Sequence, residues 1–206
     1  MVINKIDRDY LDLNRDKTAN GGTAAFEDPD AEAYYDYYHN TIAAFVAEIL
    51  ANHDRGLLID VHGQGAFANT IFRGTQNGDT VTDLLNAFGE PALRGPSSIF
   101  GQLETLGYDV DPENNEPLNT NPETTYVGGY TVQTYGSDNV GGIDSIQIEF
   151  GSALRFDPNA NAWQQSGADL AIALASHYNS FIVPEPASAA SLLALLTIPL
   201  LRRSRG

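Results

Sequence analysis

The chain has 206 residues, 42% of them hydrophobic, which is enough for one ordinary domain with its own core. Eleven Lys and Arg residues against 27 Asp and Glu residues give a net charge of −16, so nucleic acid and anionic membrane surfaces are poor partners. The chain contains no cysteine, which excludes disulfides, thiol nucleophiles and thiolate metal ligands, and a metal site must therefore use His, Asp or Glu.

The first predicted element is a long helix over residues 28–52. Asp28 suits the N-cap position and Pro29 the first helical position, and apolar side chains then recur at helical spacing. An Arg-Gly pair ends this pattern, and the apolar run over residues 57–61 predicts a buried strand. A helix that leads into a buried strand indicates an α/β fold.

Shorter elements are predicted in the rest of the body. Asn77-Gly78 lies between two strand-like segments, residues 70–73 and 80–81, and this dipeptide predicts a β-hairpin. Residues 109–125 are rich in Asp, Glu, Asn and Pro, which predicts an exposed loop. The other predicted elements are helices over residues 83–88, from Ser97 or Ser98 to 106, and 168–181, and strands over residues 130–134 and 145–150.

Residues 183–206 differ in composition from the body. In chain order they contain Pro184, Glu185 and Pro186, an uncharged stretch over residues 187–201, and the basic residues Arg202, Arg203 and Arg205. An apolar run of about 15 residues is slightly short for a stable span, but it suffices for a transient membrane anchor. The positive-inside rule then leaves the acidic body outside. A buried terminal helix is the alternative.

This order of features resembles the PEP-CTERM sorting signal of Gram-negative bacteria. The resemblance implies an exosortase-type processing protease that recognises the Pro-Glu-Pro motif and removes the tail. It also implies an exported protein of the cell envelope or extracellular space, transiently anchored in the inner membrane. Such a protein should begin with an export signal, whereas residues 1–8 are charged, so we expect that the chain lacks its natural N-terminus.

His62 is the leading candidate for a metal ligand. It follows an apolar strand, and ligands bind at the carboxyl ends of strands in open α/β sheets. Asp60 lies two residues earlier on the same face of the strand, where it can orient the metal ligand. A structural histidine is the alternative interpretation of His62. The other three histidines, His39, His53 and His177, are interpreted as structural because no two have a metal-ligand spacing.

Glu149 is the candidate catalytic base. The alternation of residues 145–150 places Glu149 and Gln147 on one face of a strand, opposite the apolar side chains. A carboxylate at the end of such a strand is suited to accept a proton from a metal-bound water. A solvated strand glutamate is the alternative.

Arg15 is a candidate substrate-binding residue. It follows Asn14 in a segment with little helical or strand pattern, and arginine suits a bidentate grip on a substrate carboxylate. A surface ion pair with Asp12 or Asp16 is equally compatible with the local sequence.

Two weaker patterns are not interpreted as sites. Residues 63–68 match the G-x-G-x-x-G/A dinucleotide pattern, but strand and turn signals follow where that motif requires a helix. The acidic residues between positions 109 and 114 lack the spacing and glycine of an EF-hand loop, so a solvated acidic loop is favoured over calcium binding.

Several segments together resemble the N-formylglutamate amidohydrolases, a branch of the zinc carboxypeptidase-like superfamily. In chain order they are residues 12–15 (Asp-Leu-Asn-Arg), the helix with Tyr38-His39, and residues 59–63, 128–131 and 146–149. The resemblance extends over roughly residues 6–155 of a body that comprises residues 1–181. It implies an α/β fold with a mixed central sheet flanked by helices, to which the tail would add a C-terminal hydrophobic helix.

The family resemblance also implies a zinc ion that activates water against an amide or N-formyl bond. On this resemblance His62 is similar to a zinc ligand and Glu149 to the general base. Asn14 and Arg15 are similar to the residues that bind the substrate carboxylate, and Asp60 supports the metal ligand.

The chain departs from the family in two places. The family's other zinc ligands, a His and an acidic residue, would precede Met1, and Val132 and Gln133 stand where the family tends to carry an Arg. We expect an exported zinc-dependent amidohydrolase-like protein that hydrolyses an amide or N-acyl bond of a small carboxylate-bearing substrate. The alternative is a non-catalytic envelope or matrix protein that retains the fold as a binding module.

Overall fold

The computed structural model describes residues 1–3, 5–17, 24–156 and 161–183. Its strands are β1 (Leu57–Gly63), β2 (Thr70–Gly74), β3 (Asp109–Asp111) and β4 (Asp144–Phe150). They form one mixed sheet in the order β1-β4-β2-β3, in which β4 is parallel to β1 and antiparallel to β2, and β3 is parallel to β2. The α/β class and the mixed sheet are therefore confirmed.

Helices flank this sheet. They are α1 (Glu32–Asn52), α2 (Thr82–Phe88), α3 (Pro91–Arg94), α4 (Ile99–Thr105), α5 (Tyr130–Tyr135), α6 (Ala153–Phe156) and α7 (Ala162–His177). A 3-10 turn at Pro29–Ala31 precedes α1, another spans Gln76–Val81, and a π-type turn at Tyr178–Ile182 follows α7. The long predicted helix is confirmed, and the Asp28 side chain accepts a hydrogen bond from the Asp30 amide at its start.

The two faces of the sheet have different chemistry. Ile146, Ile148 and Phe150 on β4 belong to the main apolar core, which Ala173 of α7 and residues of α2, α3 and α4 complete. The intervening Gln147 and Glu149 face the other side, as strand alternation requires. All seven residues of β4 are buried, so both faces of this central strand are covered. A polar pair is thus placed inside the protein, on the side away from the main core.

The predicted hairpin at Asn77-Gly78 is wrong. These residues do have positive φ, 59° and 101°, but the chain continues into α2 instead of a returning strand. Two distant carboxylates account for the difference: Glu123 accepts the Asn77 amide at 3.0 Å, and Asp144 accepts the Leu84 amide near the start of α2 at 3.1 Å. Tertiary hydrogen bonds therefore redirect a turn that local sequence assigns to a hairpin.

The predicted strand over residues 130–134 is also wrong, because this segment forms helix α5. The Asn14 side-chain oxygen accepts a hydrogen bond from the Thr131 amide in the first turn, at 2.8 Å. This contact supplies from a distant segment the cap that a helix start requires. The strand-forming preference of this segment is overridden.

Residues 109–125 are not a wholly exposed loop. They begin with β3, and Glu123 is buried at 4% exposure, where it pairs with the buried Arg73 at 3.0 Å. The last predicted helix is present but begins earlier, at Ala162.

Residues 184–206 of the tail, with the predicted C-terminal hydrophobic helix, lie outside the described residues. Within the described ranges, none of the helices has the length and apolar character needed to cross a membrane.

Candidate functional site

Four polar side chains form an array at the carboxyl ends of β1 and β4. The register of these parallel strands places Asp60 beside Gln147 and His62 beside Glu149. Because alternate residues of a strand share a face, all four side chains lie on the side of the sheet opposite the main core. The strand-end placement of His62 and Glu149 is as expected, and the structure makes them direct neighbours.

His62 lies between a carboxylate and an amide. Its Nε2 is 2.8 Å from Asp60 Oδ2 and 3.3 Å from Asn14 Nδ2. Asp60 Oδ2 is buried and has no well-aligned hydrogen bond in the described part of the chain, although it lies 2.8 Å from His62 Nε2 and raises the pKa of that ring. A buried carboxylate oxygen without an aligned donor marks a place where a ligand can bind.

Asn14 connects the N-terminal segment to the array. Its Nδ2 donates to Gln147 Oε1 at 3.1 Å, and its Oδ1 accepts from the Thr131 amide. Gln147 Oε1 also accepts from the Gly129 amide at 2.7 Å. A Cβ at Gly129 would collide with the Asn14 side chain, so glycine is required there for the close approach.

Glu149 is the neighbour of His62 on the adjacent strand β4, and 7% of its surface is exposed. Gln147 Nε2 donates to Glu149 Oε1 at 3.0 Å. Burial raises the pKa of Glu149, and the charges of His62 and Arg8 oppose this rise without cancelling it. A carboxyl group with a raised pKa is a stronger base once ionised, as general-base catalysis near neutral pH favours.

The pKa of His62 is also raised. Burial works against the protonated ring, but the adjacent Asp60 carboxylate and the charge of Glu149 outweigh that effect. Protonation of His62 is thus favoured by these two carboxylates.

A cleft of about 540 Å³ opens beside the array. His62, Asp60, Asn14, Tyr38 and Thr131 contribute to its wall. The Thr131 hydroxyl is buried and has no well-aligned hydrogen bond among the described residues, although it is close enough to the Tyr38 hydroxyl to lower the pKa of that tyrosine against the effect of burial. Together with Asp60 Oδ2 it provides two polar atoms that a ligand in the cleft can satisfy.

Of the predicted substrate-binding pair, Asn14 lines the cleft and Arg15 does not. Arg15 Nε binds Asp12 Oδ2 at 2.8 Å, the ion pair that local sequence offered as the alternative. Sequence reasoning missed Arg8, which lines the cleft and binds the same Asp12 oxygen at 2.9 Å. Arg8 lies in a segment without regular structure, so no local pattern indicated its place at the cleft.

His39 holds the Asn14 segment in place. From helix α1 its Nε2 contacts the Leu13 carbonyl at 3.1 Å, and its Nδ1 contacts the Tyr135 hydroxyl at 3.0 Å. This histidine, interpreted as structural from the sequence, therefore links α1, α5 and the segment that carries Asn14.

Zinc does not fit the described residues by themselves. A catalytic zinc ion normally has three protein ligands. His62 Nε2 and the unpaired Asp60 Oδ2 form an adjacent donor pair, but among the described residues no group of three His, Asp or Glu side chains is arranged around one point. The described residues therefore supply two metal donors at this point.

No protein-family model, curated protein or solved structure matches this chain.

Proposed function

We propose that the body of the chain is an amidohydrolase-like domain that cleaves an amide, N-acyl or N-formyl bond of a small carboxylate-bearing substrate. The observation that carries this proposal is the array at the ends of β1 and β4, in which His62 lines a cleft and Glu149 is its neighbour on the adjacent strand. Hydrolysis requires a base for water and polar groups that orient the reacting bond.

Each polar side chain has a distinct role in this proposal. Glu149 accepts a proton from the attacking water through Oε2, because Gln147 donates to Oε1. Gln147 and Asn14 keep the array in register, and Asp60 orients His62. In this proposal the Thr131 hydroxyl, which has no well-aligned hydrogen bond among the described residues, donates to the substrate carbonyl oxygen.

We include zinc in this proposal because of the family resemblance, with His62 as its ligand. When bound, zinc would polarise the scissile carbonyl and lower the pKa of water. The ion would need ligands beyond the donor pair that the described residues supply.

The test is an assay of hydrolysis with N-formyl and N-acetyl amino acids as substrates. The reaction is measured through the free amine that it releases. Glu149→Gln keeps the shape and the bond from Gln147 but cannot accept the water proton, so the rate should fall by about 100 to 10,000-fold. Glu48→Gln, on an exposed position of α1, is the matched control and should leave the rate unchanged. If Glu149→Gln hydrolyses these substrates as fast as the parent, the proposal is wrong.

The second candidate is a non-catalytic binding module of the cell envelope or extracellular matrix. The incomplete set of metal donors among the described residues favours it. A parent chain that binds N-acyl amino acids in the cleft but releases no amine, with zinc supplied, would establish this role in place of hydrolysis.

We further propose that the protein is exported and that an exosortase-type protease removes the tail. The support is the order of Pro184, Glu185 and Pro186, the apolar stretch and the Arg cluster. When the chain carries an added export signal in a host with an exosortase, intact mass spectrometry should show loss of the segment after about Pro186. Retention of Arg205 in the mature extracellular protein would contradict this.

A further inference from the structure

Two arginines share one carboxylate, Asp12, which lines the cleft. Arg8 and Arg15 each bind Asp12 Oδ2 through Nε, at 2.9 Å and 2.8 Å. The Asp12 side chain is 7% exposed, and its Oδ1 accepts the Asn14 amide at 3.1 Å. This trio therefore carries two positive charges against one negative charge, on the segment that positions Asn14.

The two arginines differ in what they face. Arg8 belongs to the cleft wall together with Asn14, Thr131 and His62, and Arg15 does not. The Arg8 side chain is 65% exposed, so its guanidinium can contact a ligand that enters from solvent. Asp12 binds Nε of Arg8, and a guanidinium has two further terminal amino groups that can bind a carboxylate with two parallel hydrogen bonds.

The rest of the cleft orients an anionic ligand. Asp12 and Asp60 both line the cleft, but two arginines bind Asp12, whereas a carboxylate placed beside Asp60 would meet a negative charge that no arginine binds in the ion pairs of the described residues. A ligand with a carboxylate at one end and a carbonyl at the other is therefore stabilised with its carboxylate at Arg8 and its carbonyl towards Thr131 and His62.

We propose that Arg8, and not Arg15, determines specificity for carboxylate-bearing ligands in this cleft, while Arg15 fixes Asp12 in position. The inference rests on the proposed function for the identity of the ligand class. It assigns binding of the ligand's carboxylate to Arg8, which is not part of the Asn14-Arg15 pair that the sequence indicated.

The experiment compares two ligands that lack the scissile bond. 4-Oxopentanoate replaces the amide nitrogen of N-acetylglycine by a methylene, and 4-oxopentanamide is its neutral counterpart. Affinities of both for the 206-residue chain are measured by calorimetry or by NMR titration, for the parent, Arg8→Gln and Arg15→Gln. Both arginine side chains are largely exposed, at 65% and 43%, so both variants should fold.

The parent should bind the acid more tightly than the amide. Arg8→Gln should weaken binding of the acid by about 10-fold to 100-fold, the loss of a charge-assisted contact, and leave the amide within about twofold. Arg15→Gln should leave both affinities within about twofold of the parent.

Three outcomes would overturn the inference: no preference for the acid in the parent, an unchanged preference in Arg8→Gln, or loss of the preference in Arg15→Gln alone. The hydrolysis assay separates this from the proposed function. A parent that binds the acid through Arg8 but releases no amine from N-acyl amino acids would support the inference and contradict the hydrolase.

Discussion

Asn14 Nδ2 donates to Gln147 Oε1 at 3.1 Å, although the two residues are 133 positions apart. The bond fastens an N-terminal segment without regular structure to the central strand of the sheet. Through its oxygen Asn14 also caps helix α5 at the Thr131 amide. The Asn14 side chain therefore connects three elements, the N-terminal segment, β4 and α5, and so fixes the cleft wall in position.

Asn14→Ala should lower the free energy of unfolding by about 2–3 kcal/mol, because it removes two part-buried hydrogen bonds and leaves the Thr131 amide without its acceptor, while Gln147 Oε1 keeps the Gly129 amide. Amide exchange should accelerate most in α5. Chemical denaturation and hydrogen exchange measure these effects. Asn115→Ala removes an exposed asparagine that binds only Glu113 within the described residues, and it should have little effect. Equal destabilisation by both variants would contradict the positioning role of Asn14.

We expect the 206-residue chain to retain little zinc, because among the described residues His62 and Asp60 supply two donors where a stable site takes three or more. The measurement is metal content after equilibration with zinc and dialysis against metal-free buffer. His62→Ala serves as the control, and its zinc content should be close to that of the parent. Stoichiometric zinc in the parent that is lost in His62→Ala would show that the ligand set is complete within this chain.

Glu123→Gln should destabilise the fold by about 3–5 kcal/mol, since it leaves the Arg73 guanidinium buried without its counter-charge. Arg73 is 1% exposed, and Glu123 also accepts the amides of Thr75 and Asn77, which an amide nitrogen could not do. Urea denaturation measures the loss. Glu116→Gln, on the exposed part of the same loop, should stay within about 0.5 kcal/mol of the parent.

His177 should make the fold less stable in mild acid. It is 1% exposed, neither ring nitrogen has a hydrogen-bond partner among the described residues, and burial lowers its pKa from 6.5 to about 4. Between those values the unfolded chain binds a proton that the native protein does not, so stability falls as the pH decreases through this window. The loss contributed by His177 is about 2 kcal/mol at pH 5 and about 3 kcal/mol at pH 4.

His177→Phe removes this titration and fills the same apolar site, which already contains the Phe181 ring 5.1 Å away. Unfolding free energies of the parent and the variant are measured at pH 7 and pH 5. Between these two values the parent should lose about 2 kcal/mol more than the variant. Identical slopes in the two proteins would mean that His177 is accessible to protons in the native state.

The sequence by itself determined the elements that follow from local periodicity. The long helix α1, the apolar run of β1, the alternation of β4 and the placement of His62 and Glu149 at strand ends all depend on neighbours within a few residues, which a pattern records. The sequence also limited any metal site to His, Asp and Glu, because cysteine is absent.

Only the tertiary structure decided what depends on distant partners. Asn77-Gly78 turns into α2 because Glu123 and Asp144 bind nearby amides, and the segment after Gly129 is a helix because Asn14 caps it. The sheet register made His62 and Glu149 neighbours, and the fold of the N-terminal segment brought Arg8 to the cleft instead of Arg15. Each of these contacts joins groups far apart in the chain, so its contribution to the free energy cannot be predicted from a local sequence pattern.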